Sequence, residues 1–158
     1  MALVLTSGAF TAGGPIPARH TCDGADVSPA LAWTGAPPGT AAFALIVDDP
    51  DAPNGTWVHW VLFNLPGDLA ALPEGVAATD TPAGLGRALQ GRNDFRRIGY
   101  GGPCPPPGRA HRYFFRLYAL SAALPLAAGA TRQDVDRAMQ GHVLAEATMM
   151  GTYARRAR

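Results

Sequence analysis

Two stretches of the chain have the length and hydrophobicity of buried strands. In "AAFALIV" (residues 41–47) every side chain is apolar, and in "TWVHWVLFN" (residues 56–64) apolar residues occupy both sets of alternate positions. Since successive side chains of a strand point to opposite faces, strict alternation puts the odd-numbered residues of 57–63 on one face and the even-numbered ones on the other. Because both faces are apolar, we expect the two strands in the interior of a sandwich or a large sheet.

A third strand is predicted at "HRYFFRLYAL" (residues 111–120), where His111 and Tyr113 begin an apolar set and Arg112 begins a partly solvated one. The 19 glycines and 15 prolines are scattered along the chain, which is typical of short strands separated by many turns. These features predict a mostly β fold.

Helical periodicity is clear only near the C-terminus. Thr131 can cap a helix, with Asp134 in the capping-box position, and an apolar stripe at helical spacing runs through residues 135–142. Because Gly141 interrupts this stripe, the prediction is one or two short C-terminal helices.

Length and charge narrow the class of protein. The 158 residues, with a formal charge of +1, predict a single domain over residues 1–158 and give no indication of nucleic-acid binding. All 13 basic residues are arginine, which excludes Schiff-base chemistry and lysine-dependent phosphate loops. The first 14 residues lack the features of a signal peptide, and the uncharged run over residues 27–47 is broken by "GAPPGT", so we expect no transmembrane segment and a cytoplasmic location.

The two cysteines, Cys22 and Cys104, do not form a C-x-x-C pair. In a reducing cytosol, free thiols are favoured over a disulfide.

Several residues that can do chemistry lie at the predicted strand ends. Asp49 and Asp51 follow the first strand, His59 lies inside the second, and His111 and Tyr113 open the third after the rigid loop "GPCPPPGRA". Each alone has a structural explanation, because Asp-Pro is a common turn dipeptide and a core histidine can bond to backbone. Together they predict a binding site.

Three interpretations of this set are open. A metal would accept the aspartates and histidines, but no compact ligand spacing is present. A small hydrolase acting on phosphoesters or esters would use Cys104, Ser28 or an Asp/His pair, although no nucleophile-elbow motif surrounds the serine. The favoured interpretation is an anion site without catalysis, in which an aspartate pairs with a histidine and stabilises its donating form, or accepts the cationic end of a zwitterion such as phosphoethanolamine.

The same segments resemble the phosphatidylethanolamine-binding protein family, also called the Raf kinase inhibitor protein family, in its short bacterial and archaeal branch. "DDPDAP…VHW" and "GPCPPPG…HRY" are similar to the two family signatures, and "CDGADVSPALAW", "NDFRRIGYGG" and "GHVLAEATMMGTY" to further segments of that branch. The resemblance implies a β-sandwich of two antiparallel sheets and a small pocket for phosphate-like anions. It also implies a cis bond at Ala52–Pro53, which the sequence alone merely permits.

By this resemblance the chain is a non-enzymatic binding protein without a cofactor or metal. Its expected partners are a small anionic or zwitterionic ligand, a kinase or protease that it regulates, and a second copy in a homodimer. The backbone near Gly102 is expected to complete the anion cradle, with Asp49 and Asp51 orienting the histidines. The ligand-binding residues expected are Asp49, Asp51, Trp57, His59, Gly102, Pro105, His111 and Tyr113.

The chain departs from the family pattern in three places. Arg96 stands where glycine is expected, and the interval from "CPPPG" to "HRY" is about one residue shorter than usual. The extra C-terminal segment of animal members is expected to be missing. We therefore expect altered geometry or charge near Arg96 and a narrower pocket entrance. Without the C-terminal segment, the kinase inhibition of animal members transfers poorly to this chain.

Overall fold

The structure is a computed structural model that describes residues 2–156. Over this range the chain forms eight β-strands, one α-helix and a short 3₁₀ turn at Ala18–His20. In chain order the elements are β1 (Val4–Thr6), β2 (Leu31–Thr34), β3 (Ala42–Asp49), β4 (Trp57–Pro66), β5 (Ala71–Leu72), β6 (Leu89–Gln90), β7 (His111–Leu120), α1 (Arg132–Met139) and β8 (Val143–Tyr153).

The strands form two antiparallel sheets, which confirms the predicted mostly β sandwich. One sheet has three strands in the order β1-β2-β5, and the other has five in the order β6-β4-β3-β7-β8. The two central strands β3 and β4 correspond to the apolar stretches of the sequence, and all eight residues of β3 are buried. In β7 the set that includes Tyr113 and Phe115 is buried and the alternate set is partly exposed, as predicted.

Apolar side chains cover both faces of the five-stranded sheet. The main core lies between the sheets and includes Trp33, Phe43, Trp60 and Phe115. A second cluster on the opposite face includes Ile46, Val61 and Phe63, together with Val135 and Met139 of α1. This double burial explains why neither face of β3 or β4 carries the polar alternation of a half-exposed strand.

A buried ion cluster fastens α1 to the sheet. The Asp48 side chain is 1% exposed and accepts hydrogen bonds from Arg116 Nε at 2.9 Å and Arg132 Nη1 at 2.8 Å. Arg116 belongs to β7, and Arg132 is the first residue of α1. One carboxylate therefore connects three elements and satisfies two cations that are themselves partly buried.

The prediction that side chains alternate strictly between the two faces of β4 is wrong at the start of the strand, because the pairing with β3 is interrupted there. Val47 pairs with Trp60 and Asp48 with Val58, so His59 is an extra residue in β4 without a partner in β3. Such a bulge reverses the facing of the residues before it. As a result Val58 joins the cluster that contains Val61 and Phe63, and His59 lies against Tyr113 on the other face of the sheet.

The C-terminal helix is shorter than the sequence suggested. Its capping box is present, since Thr131 Oγ1 accepts from the backbone of Asp134 and the Asp134 carboxylate accepts from the backbone of Thr131. The helix ends at Met139, however, and "VLAEATMMGTY" forms β8 along β7. Of the one or two C-terminal helices predicted, one is present, and no second helix follows Gly141 among the described residues. Among the described residues no helix has the length and hydrophobicity needed to cross a membrane.

Candidate functional site

The candidate site is a cavity of about 220 Å³ at one end of the five-stranded sheet, where β3 ends and β4 and β7 begin. Its rim is largely apolar, and its polar groups come from different strands. The lining residues are Asp49, Ala52, Pro53, Asn54, Trp57, His59, Phe95, Cys104, Pro105, Pro106, His111 and Tyr113.

His59 is held by the backbone at one ring nitrogen. Its Nδ1 lies 2.7 Å from the carbonyl oxygen of Gly101, and the residue is 3% exposed. Because a carbonyl only accepts, Nδ1 carries the proton. Burial lowers the pKa of His59, an effect that the Gly101 carbonyl and the Asp49 carboxylate oppose only in part. His59 is therefore neutral at pH 7, with Nε2 as the unprotonated nitrogen.

His111 is oriented by a carboxylate. Its Nδ1 lies 2.7 Å from Asp49 Oδ2, and the two side chains are 12% and 5% exposed. The second oxygen, Asp49 Oδ1, accepts from the backbone N–H of Asp51 at 2.7 Å. Both oxygens of Asp49 thus accept from protein donors. Because Asp49 holds Nδ1 of His111, the other ring nitrogen, Nε2, is the one that can face a ligand.

Tyr113 supplies a hydroxyl that the protein does not satisfy. The residue is 1% exposed, and its Oη is buried without a hydrogen-bond partner among the described residues. The ring lies edge-on to His59 at a centroid distance of 5.3 Å and stacks near His111 at 6.5 Å. Burial raises the pKa of Tyr113 well above its usual value, so the hydroxyl keeps its proton and can donate it.

Two glycines behind the pocket leave no room for a side chain. A Cβ at Gly101 would lie 2.5 Å from the Phe95 ring, and one at Gly102 would collide with the His20 carbonyl and the Asp26 carboxylate. The Gly102 N–H donates to Asp26 Oδ1 at 2.8 Å, so it is not available for an anion. Gly102 therefore has a structural position behind the pocket, and its own N–H is not part of the anion cradle that was expected from the backbone near it.

Asp51 is also placed differently from the expectation that it orients a histidine. It does not line the cavity but accepts from the backbone and the guanidinium of Arg112, at 2.8–2.9 Å. The Arg112 hydrogen bonds lower the pKa of Asp51 to about 2. This carboxylate fastens the turn after β3 to the start of β7.

The cysteine prediction is wrong. Cys22 and Cys104 are joined by a disulfide, with Cα atoms 5.4 Å apart. The bond connects the segment after the 3₁₀ turn with the proline-rich pocket rim, and it leaves no free thiol at Cys104 for nucleophilic catalysis. The cis bond implied at Ala52–Pro53 is likewise wrong, since all peptide bonds of residues 2–156 are trans.

The sequence interpretation missed Phe95, although it lies in the quoted segment "NDFRRIGYGG". Phe95 packs edge-on against Trp57 at 5.4 Å and His59 at 5.3 Å and so forms a wall of the cavity. An aromatic residue in a glycine-rich loop was the available signal. The next residue, Arg96, has φ +63°, which explains why glycine is expected at that position. Within residues 2–156 no cluster of three or more histidine, cysteine or acidic residues is arranged to hold a metal ion.

Comparisons with known sequences and with solved structures give the same family. The sequence profile of the phosphatidylethanolamine-binding protein family matches residues 6–154. A UPF0098 protein of Methanothermobacter thermautotrophicus is 52% identical, covering 96% of this chain and 98% of its own length. One of Aquifex aeolicus is 48% identical, covering 94% of this chain and 86% of its own.

Two crystal structures share the fold. The PEBP homolog CT736 from Chlamydia trachomatis superposes with a TM-score of 0.88 at 40% identity, covering 98% of each chain. Escherichia coli YbcL, described as a new member of the mammalian PEBP family, gives a TM-score of 0.90 at 33% identity, covering 98% of this chain and 99% of its own.

Proposed function

This chain belongs to the phosphatidylethanolamine-binding protein family, and from that membership we propose that it is a non-enzymatic binding protein whose pocket recognises phosphate-like or phosphoethanolamine-like groups. His111 and Tyr113 supply the donors, and the apolar rim of Trp57, Phe95 and Pro105 surrounds the remainder of the ligand.

The observation that carries this proposal is the unpartnered hydroxyl of Tyr113. A buried hydroxyl without a partner costs about 1–3 kcal/mol, and native structures leave few such groups unsatisfied. The ring that carries this hydroxyl lies beside the two pocket histidines and lines the cavity. A ligand oxygen that accepts from Tyr113 Oη recovers this cost, and an oxyanion is the strongest acceptor available.

A hydrolase is supported less well. With Cys104 in a disulfide, the lining residues include no free thiol and no serine or threonine beside the Asp49–His111 pair. The raised pKa of Tyr113 opposes formation of a phenolate nucleophile. The pocket groups therefore suit recognition better than covalent catalysis.

Isothermal titration calorimetry with inorganic phosphate tests the proposal. Tyr113→Phe removes only the unpartnered hydroxyl, so it is expected to fold normally and to bind phosphate about tenfold more weakly. His111→Gln is expected to weaken binding as well. His142→Gln, which changes an exposed histidine outside the pocket, is the matched control and is expected to bind like the parent.

Two results would contradict the proposal. Phosphate affinity that is the same in the parent and in Tyr113→Phe would show that the hydroxyl does not contact the anion. Turnover of p-nitrophenyl phosphate or an ester that disappears in His111→Gln would favour the hydrolase.

A further inference from the structure

The pocket presents a hydrogen-bond acceptor as well as donors. The proton on His59 is committed to Nδ1 by the Gly101 carbonyl at 2.7 Å, so Nε2 of the neutral ring carries a lone pair. No described residue donates to this nitrogen, and the ring lines the cavity. Because the ring is 3% exposed, a bound ligand that covers it also removes its access to water.

The other two polar groups have the opposite preference. Tyr113 Oη has a proton and no partner in the protein. His111, whose Nδ1 is committed to Asp49, donates through Nε2 when the ring is charged. When His111 is charged, a ligand that satisfies all three groups therefore needs oxygens that accept from His111 and Tyr113 and a polar hydrogen that it donates to His59.

We propose that the pocket selects phosphate monoesters that retain a P–OH group, which donates to His59 Nε2 while the other phosphoryl oxygens accept from His111 and Tyr113. This inference rests on the proposed anion-binding function and narrows its ligand class. Sulfate and phosphodiesters, including the headgroup linkage of an intact phospholipid, present oxyanions without this hydrogen. They leave the lone pair of His59 facing an oxygen lone pair, which is unfavourable in a buried site.

An isomeric pair of ligands isolates this hydrogen. Ethyl phosphate and dimethyl phosphate have the same atomic composition, and near pH 5.5 both carry mainly one negative charge, because the second pKa of a phosphomonoester is about 6. Only ethyl phosphate has a P–OH group. Calorimetry on the intact, disulfide-bonded protein is expected to show at least about tenfold tighter binding of ethyl phosphate, corresponding to one hydrogen bond.

Inorganic phosphate and sulfate form a second pair, and phosphate is expected to bind about tenfold more tightly. Tyr113→Phe is the control variant: its hydroxyl donates to either ligand, so its loss weakens both members of each pair and leaves their ratio unchanged. ¹⁵N NMR of the imidazoles gives an independent readout, with His59 Nε2 expected to remain unprotonated in the phosphate complex.

The outcomes separate this inference from the function on which it rests. Equal affinity for the two isomers, or a protonated His59 Nε2 in the complex, overturns the selectivity and leaves the anion pocket standing. Failure of every phosphate and sulfate ligand to bind overturns both. If glycerophosphoethanolamine, a diester with an ammonium group, binds as tightly as ethyl phosphate while dimethyl phosphate does not, the donor to His59 is the ammonium and the P–OH assignment is wrong.

Discussion

Removing the disulfide should cause a large loss of stability. Cys22 and Cys104 are separated by 82 positions, so the bond closes more than half of the chain into a loop. Both residues are exposed, which makes the bond accessible to reductants. The double variant Cys22→Ala/Cys104→Ala removes it without leaving an unpaired thiol.

The magnitude follows from loop closure. For a separation of 82 the chain-entropy relation gives about 4.5 kcal/mol of stabilisation, near the upper end of measured values. Residual structure in the unfolded chain reduces this, so we expect a loss of about 3–4 kcal/mol in the free energy of unfolding. For a domain of this size such a loss lowers Tm by about 10 °C.

Urea unfolding of the parent, with and without a phosphine reductant, measures this loss directly. The double variant should match the reduced parent and should not respond to the reductant. A thiol assay on the unfolded, unreduced parent should detect no free thiol. Two thiols per chain, or a stability change below about 1 kcal/mol on reduction, would refute the loop-closure reasoning.

Three further predictions concern the scaffold, each measured as the free energy of unfolding in urea. Asp48→Asn should cost about 3 kcal/mol, because it leaves the partly buried Arg116 without its anion and leaves Arg132 paired with Asp136 alone. Asp136→Asn, which removes the exposed partner of Arg132, should cost less than about 0.5 kcal/mol, and equal losses would contradict this. Arg96→Gly should be neutral or stabilise the protein by up to about 1 kcal/mol, because Arg96 has a φ of +63°. Asn64→Gly, also at positive φ, should cost about 2 kcal/mol, because it loses two hydrogen bonds to Leu124. Stabilisation by both substitutions would refute the role given to the Asn64 hydrogen bonds. Since burial lowers the pKa of His59, the unfolded chain takes up a proton before the folded one as pH falls below about 6.5, and stability should decrease from pH 7 to 5. His59→Gln should flatten this slope, and an unchanged slope would count against a buried neutral imidazole.

The central strands were predictable because their composition is decisive at every position. Stretches such as "AAFALIV" exclude a solvated face, and two such stretches beside an amphipathic "HRYFFRLYAL" predict the interior of a sandwich or a large sheet. The bulge at His59 was not predictable in the same way. It depends on how β3 and β4 align in space, and the period-two pattern along one strand contains no information on its partner.

The strand at residues 143–153 was not predictable from the sequence for a different reason. This segment contains leucine, alanine, glutamate and methionine, all good helix formers, and it begins only a few residues after α1 ends at Met139. Ten of its eleven residues nevertheless pair with all ten residues of β7, from His111 with Tyr153 to Leu120 with Val143. Tertiary pairing has overridden local propensity here.

The cysteine error shows what residue spacing omits. A separation of 82 positions between Cys22 and Cys104 matches no cysteine motif, and the assumption of a reducing compartment decided the interpretation. The cytoplasmic location remains a prediction, and the disulfide is an argument against a strongly reducing compartment. A measurement of the redox state in cells would address both points.

The pocket groups are fixed by contacts that do not involve a ligand. Asp49 anchors His111 through one oxygen and the following turn through the other, and Gly101 holds His59 from behind. The disulfide secures the rim at Cys104, and the Asp51–Arg112 pair secures the opposite turn. Because these restraints are independent of the anion, binding requires little reordering of the protein, and differences in affinity between matched ligands should report hydrogen-bond chemistry rather than the energy of rearrangement. This is the reason why two isomeric phosphates are an adequate probe of a single nitrogen lone pair.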